Sequence, residues 1–305
     1  MTARNTSLTR SYRIVTALLL TMIFTGPAMA KESDKHPESI NIMELKPKGE
    51  TPLKVYVLDC GEIVAHDASV FNLALAGTEL TLSDSCYLIK HPKGTLIWDT
   101  GLPDAVSAYP NGVDAGGGLF TGFVHKTLLS QLQEIDVDPA SVKYIAMSHL
   151  HFDHTGNANY FTNATWLIQQ PEYDIAFTQQ GIDYGFDPSS YSQLADNPIK
   201  ILNGHYDVFG DKSVVIISTP GHTPGHQALY LDLPQTGPVV LSGDLYHFEQ
   251  NREAYAVPVF NSSIRQTIHS FVLMDDFIDQ VHATMWIQHD KPTFDSLMHA
   301  PDFYQ

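Results

Sequence analysis

Past residue 52 the chain is a series of short apolar runs separated by polar, Gly- and Pro-bearing stretches. Residues 55–59 and 85–89 have the length and content of strands, and His91-Pro92-Lys93-Gly94 is a turn that returns the chain into Thr95-Leu96-Ile97-Trp98. This predicts an early antiparallel hairpin. Residues 103–122, rich in glycine and bearing aromatics, read as a loop. An amphipathic helix is predicted over 126–135, and the apolar run 142–147 has the length of a buried strand. Residues 214–218 and 239–242 repeat the strand-then-polar-loop pattern, 264–279 predict a long helix and 283–288 a last strand. No period of 20 to 50 residues is visible in the sequence, which disfavours solenoids and propellers. A mixed α/β sandwich fits these elements.

Upstream the pattern differs. Arg4, Arg10 and Arg13, with no acid, precede the apolar run 14–24, and Ala28-Met29-Ala30 follows it. That is the pattern of an export signal cleaved after Ala30, so residues 1–30 are read as a signal peptide. Its 11-residue run falls short of the ~20 needed to cross a bilayer as a helix. Residues 31–51 are polar, carry Pro37 and Pro47, and read as a linker or N-terminal strap ahead of a single domain at 52–305. The mature protein is expected to be exported, periplasmic or secreted, with no membrane attachment after cleavage. There Cys60 and Cys86 could pair, but both also fit buried free thiols, so the sequence leaves the disulfide open.

Composition narrows the partners. Apolar residues make up 43% of the chain and charged residues 17%, enough hydrophobic surface for a core and too much for disorder. Lys and Arg number 17 against 34 Asp and Glu, with no basic cluster, so nucleic acid is a poor partner and none is expected.

The chemistry follows the strands. After Tyr144-Ile145-Ala146-Met147 comes Ser148-His149-Leu150-His151-Phe152-Asp153-His154-Thr155-Gly156. In extended backbone His149 and His151 project to one side, and a turn into a helix would swing Asp153 and His154 toward a second point nearby. After 214–218 comes Thr219-Pro220-Gly221-His222-Thr223-Pro224-Gly225-His226; after 239–242 comes Gly243-Asp244; after the last strand comes Gln288-His289-Asp290. Ligand sites of open α/β sheets lie at strand C-termini, so four segments distant in sequence can converge. His226 is read as packing or supporting the site. Seven imidazole and carboxylate ligands without thiolate suit two zinc ions, with iron, manganese or cobalt as alternatives, and Asp244 bridging. Water shared by two such ions becomes a nucleophile near neutral pH, which predicts hydrolysis.

The motif His149-x-His151-x-Asp153-His154, with His222, Asp244 and His289 downstream, resembles the metallo-β-lactamase superfamily over nearly all of residues 52–290. The resemblance implies a four-layer αβ/βα sandwich with a dinuclear site on its edge. It assigns His149, His151 and His222 to one metal, Asp153, His154 and His289 to the other, and Asp244 to both. Within the superfamily the motifs are most similar to N-acyl-homoserine lactonases, which open the ring of bacterial quorum-sensing signals, and dimers are common among these. True β-lactamases generally lack the bridging Asp, flavodiiron proteins carry Glu at the position of His151, and RNA-processing members need a basic surface. Glyoxalase II has little substrate outside the cytoplasm. A phosphotriester or ester hydrolase is the runner-up, and a metal-binding protein without turnover the alternative of another class.

For lactone opening the resemblance implies attack by a bridging hydroxide, with Asp153 as the proton shuttle to the leaving ring oxygen. The best-known lactonases carry a Tyr three residues after the bridging Asp; here that position is His247, with Tyr246 before it, and either could polarise the carbonyl. An acyl tail needs an apolar groove, for which the sequence offers Leu119, Phe120 and Phe123 in the glycine-rich loop and Tyr184, Phe186 and Tyr191 in the polar insert. Glycines 116–118 suggest a mobile lid.

Overall fold

The computed structural model describes residues 40–305; the expected signal peptide, its cleavage point and the start of 31–51 lie outside the described residues. Two twelve-residue strands, β1 (Lys54–Ala65) and β2 (Leu80–His91), pair antiparallel from Lys54 opposite Lys90 to Ala65 opposite Leu80. The turn ending at Gly94 leads from β2 into β3 (Gly94–Trp98), giving the expected hairpin. The glycine-rich stretch is not a loop throughout. Val113–Ala115 and Phe120–Phe123 pair as a small hairpin, β4 and β5, at the sheet edge beside β1. Parallel strands β6 (Tyr144–Ala146), β7 (Thr165–Gln169) and β8 (Ile199–Leu202) extend the other edge, so the first sheet runs β4-β5-β1-β2-β3-β6-β7-β8.

The second sheet holds β9 (Tyr206–Asp207), β10 (Val214–Ser218), β11 (Gln227–Leu233), β12 (Gly237–Leu241) and β13 (Thr284–Trp286), in the order β13-β12-β11-β10-β9. Its strands are antiparallel except for the parallel β12–β13 pair.

Period-two alternation explains how the layers stack. On β1, Val55 and Val57 face the second sheet, while Tyr56, Leu58 and Cys60 face the opposite core, where the helix Leu128–Glu134 packs. On β10, Val214 and Ile216 face the first sheet, and Val215 and Ile217 meet the long helix Ile264–Val281 through Phe271, Met274 and Phe277. The order is helices, sheet, sheet, helices. Both faces of each sheet are covered over its centre, so strands such as β10 read as nearly unbroken apolar runs.

Cys60 and Cys86 are joined by a disulfide within the β1–β2 pair, which settles a point the sequence left open. Residues 40–51 lie along this body and bury Ile42 and Leu45 in the core under the long helix. No described helix is long and apolar enough to cross a membrane.

Candidate metal centre

Each element of the site begins where a strand stops. Beyond β6, His149 and His151 precede a single helical turn, Phe152–Thr155, that carries Asp153 and His154. Beyond β10 the loop 219–226 carries His222, beyond β12 the turn Gly243–Leu245 carries Asp244, and beyond β13 comes His289. Gly243 has φ 52°, and a Cβ there would lie 2.6 Å from Ser148 Cβ and 2.7 Å from His226 Nε2. Only glycine lets the chain pass so close while turning Asp244 inward.

The seven side chains fall into two groups, His149, His151, His222 and Asp244 in one and Asp153, His154 and His289 in the other; within each, the candidate donor atoms lie within 4.8 Å of one another. In the first, His149 Nε2 is 2.7 Å from His151 Nδ1, and His222 Nε2 is 3.0 Å from both. In the second, His154 Nε2 is 3.3 Å from His289 Nε2, with Asp153 oxygens at 3.8 and 3.7 Å from the two. Asp244 stands between the groups: Oδ2 is 3.3 Å from His222 Nε2, and Oδ1 is 3.1 and 3.0 Å from His154 and His289 Nε2.

The ring nitrogens turned away from these clusters decide what the inner ones can do. His151 Nε2 meets the Tyr184 carbonyl at 2.8 Å, His289 Nδ1 the Ser83 carbonyl at 2.7 Å, His222 Nδ1 Asn261 Oδ1 at 2.9 Å, and His154 Nδ1 Asp99 Oδ2 at 3.1 Å. All four partners are acceptors, and the Asn261 amide is oriented by its Nδ2 donating to Thr267 Oγ1. The outer nitrogen therefore carries the hydrogen, and in the neutral ring the inner nitrogen presents a lone pair. His149 Nδ1 lies 3.1 Å from Ser148 Oγ. Lone pairs converging at this range repel unless a cation lies among them. Four donors around a tetrahedral ion with bonds of ~2.0–2.1 Å stand roughly 3.3 Å apart, close to several of these separations. Asp244 Oδ1 is buried and faces the His154 and His289 nitrogens, as suits a ligand oxygen. The donor set fits divalent metal.

Burial and charge pull the rings in opposite directions. Burial holds His149 and His222 well below the ordinary imidazole pKa, the Asp244 carboxylate opposing it in each, and burial also lowers His151. Burial works the same way on His154 and His289 but is outweighed. Asp244, Asp99 and Asp153 hold His154 well above its ordinary value, and Asp244 and Asp153 push His289 up to about 9. Burial would raise Asp244, yet the imidazoles of His289, His154 and His247 hold it well below the carboxylate range.

Asp153, Asp244, His151 and His289 open onto a cavity of about 710 Å³. Its apolar wall includes Ile63, Phe71, Leu82, Leu119, Phe120, Phe152 and Phe260, with Tyr184 on one side.

A family model described as the metallo-β-lactamase superfamily matches residues 81–277. The chain belongs to the metallo-β-lactamase superfamily. The N-acyl homoserine lactonase AttM of Rhizobium radiobacter is 32% identical over 266 residues, 83% of this chain and 99% of that one. The N-acyl homoserine lactonase AiiA of Bacillus thuringiensis subsp. kurstaki is 33% identical over 217 residues, 67% of this chain and 80% of its own. A solved quorum-quenching N-acyl homoserine lactone hydrolase aligns with a TM-score of 0.73 at 26% identity, covering 84% of this chain and 100% of its own. Another, with N-hexanoyl-L-homoserine bound at its catalytic metal centre, gives 0.70 at 26% identity, covering 82% and 98%.

Within this metallo-β-lactamase fold several expected residues do not reach the site. Tyr246 cannot polarise a substrate carbonyl: in extended backbone it points opposite to His247, stacks on Phe271 at 4.7 Å and donates to Asp275 Oδ1 at 3.3 Å. His247 does reach it, lining the cavity with Nε2 3.1 Å from Asp244 Oδ2. Leu119, Phe120 and Tyr184 line the cavity, but Phe123 does not; three residues along β5, it points to the other face and stacks on His125. Phe186 packs edge-on to the His151 ring behind the wall, and Tyr191 is buried, donating its hydroxyl to the Ala176 carbonyl.

Other residues were not singled out from sequence. Asp99, at φ 56°, accepts from Ser148 N–H through Oδ1 and from Gln288 Nε2 through Oδ2, besides meeting His154. Gln288 Oε1 accepts from Trp98 Nε1 and from Gly243 N–H, tying β3, Asp99 and the Asp244 turn to its neighbour His289. His226, by contrast, was read from sequence as packing or supporting the site; its Nε2 accepts the Asp244 N–H at 2.9 Å, which places it behind that carboxylate. Trp98-Asp99-Thr100-Gly101 follows a strand just as the histidine clusters do, the one signal that could have marked Asp99.

Proposed function

We propose that this protein opens the lactone ring of N-acyl homoserine lactones with two divalent metal ions, one held by His149, His151 and His222, the other by Asp153, His154 and His289, with Asp244 shared. The observation that carries the reading is the convergence of seven donors in two adjoining groups, four of which open onto a largely apolar cavity of about 710 Å³. The 32% identity to a named lactonase over 83% of the chain supports the substrate. Zinc suits the imidazole and carboxylate donors, and iron, manganese or cobalt would suit them too. Two bound ions supply a water acidified toward neutral pH and positive charge for the oxyanion and the leaving oxygen.

The protein's own groups do the rest. Water adds to the carbonyl carbon, the ring C–O bond breaks, and Asp153 at the cavity floor carries the proton to the ring oxygen, leaving a hydroxy acid. His247, with its ring 5.7 Å from and nearly parallel to that of His289, directs an N–H at Asp244 or at the substrate carbonyl. Phe71, Phe120 and Phe260 take the acyl chain and exclude water. Export is part of the same proposal: the Cys60–Cys86 disulfide supports an oxidising compartment.

A pH-stat assay tests the reading, with acyl homoserine lactones and a paraoxon-like phosphotriester as substrates, before and after chelation. Lactone opening that chelation abolishes and metal restores is expected. Chelator-resistant opening, or turnover of the phosphotriester alone, would overturn it.

A further inference from the structure

Glu172 is a buried carboxylate outside the cavity. It sits just past β7 on the short helix Gln170–Tyr173, is 1% exposed, and forms no ion pair among the described residues. Burial pushes its pKa up to about 7, against the opposing pull of its hydrogen bonds. A carboxylate kept in such a place must satisfy donors that a neutral or apolar side chain would leave bare.

Those donors are two backbone amides. Glu172 Oε1 accepts from Leu150 N–H at 3.1 Å, and Oε2 accepts from Gly225 N–H at 2.8 Å. Leu150 is the residue between His149 and His151. Gly225 belongs to the loop of His222 and precedes His226, the residue that receives the Asp244 N–H. A Cβ on Gly225 would lie 2.5 Å from Glu172 Cβ and 2.6 Å from Glu172 N, so glycine at 225 is what lets the two segments touch. In the other group His154 meets Asp99, which Gln288 orients, and His289 meets the Ser83 carbonyl, so neither imidazole is held by Glu172.

We propose that Glu172 is a positioning residue that clamps the His149–His151 segment to the His222 loop, so that the ion held by these three imidazoles depends on it and the ion held by Asp153, His154 and His289 does not. The inference rests on the two-metal reading above but not on the substrate. It also gives Gly225 a purpose that ligand spacing alone does not.

Metal-free protein is titrated with Co(II), following absorbance and heat, and His289→Ala and His222→Ala proteins assign the two binding steps. Glu172→Ala is expected to weaken the first ion by roughly 10–100-fold, the range typical when a group supporting a ligand is lost, while the second ion changes less than about threefold. Glu172→Gln, which keeps one acceptor oxygen, should fall between wild type and Glu172→Ala. Gly225→Ala should reproduce the selective loss with the carboxylate intact, and it carries the test if Glu172→Ala does not fold. Unchanged affinities in every variant, or equal weakening of both ions, would overturn the role. Wild-type protein that binds fewer than two Co(II) ions would overturn the two-metal reading itself, and this inference with it.

Discussion

His149, His151 and His222 on one side of Asp244 and His154 and His289 on the other all sit in the interior, His151 partly exposed, yet their basicities are pushed in opposite directions. The first three are pushed down by burial, which favours the neutral ring with its lone pair turned inward. The other two are pushed up, His289 to about 9, because carboxylates outweigh the same burial. Carboxylate placement, not depth, therefore decides which half of the centre is ready for a cation and which must first give up a proton.

The largest expected effect removes the group both halves share. Asp244→Ala should lower kcat/KM for lactone opening by roughly 10³-fold or more. In the metal-free protein it should also bring His289 down from about 9 toward the ordinary value near 6.5, which imidazole NMR titration would follow. A His289 that still titrates near 9 would mean that Asp244 does not set the contrast.

Next in size is the pH dependence of metal binding. A cation entering beside Asp153 must displace the proton of His289, so its affinity should climb with pH until about 9, by up to about tenfold per unit. The ion beside His149 displaces none near neutrality, and its affinity should be flat there. Stability of the metal-free protein shifts in the matching sense. The contribution of His289 is complete below about 6.5 and is lost as pH rises through about 9. Calorimetric titration between pH 6 and 9 checks the first point and thermal melts the second.

The cavity offers a smaller contrast. Phe120→Ala should cut kcat/KM by about tenfold for long acyl chains and less for short ones, consistent with the apolar surface it gives to the wall. Phe123→Ala should leave the chain-length profile unchanged. The least effect falls on Tyr246→Phe: kcat within about twofold of wild type and a loss of about 1 kcal/mol in stability, as its hydroxyl bonds only to the long helix.

What the sequence revealed and what it hid follow from the same geometry. The ligand clusters were legible because each follows an apolar strand at once, and strand ends are where a sandwich exposes its edge. Strand lengths were not. β1 and β2 run on through Glu62, Ser83, Asp84 and Ser85, polar residues whose places depend on distant partners, such as the Gln288 carbonyl that takes both serine hydroxyls. The hairpin of β4 and β5 was hidden by the glycines of its own turn. Tyr246 and Phe123 were misread because a step along extended chain reverses the facing side, and composition does not tell which side is inward. Glu172, Gln288 and Asn261 act on backbone amides or on rings far along the chain, so no local pattern marks them.

The most direct test is to add metal back to chelated protein in measured equivalents while following lactone opening. Two equivalents should bind, with the rate staying low through the first and rising in proportion to the second. Full activity with one equivalent or none would contradict a centre built from both halves.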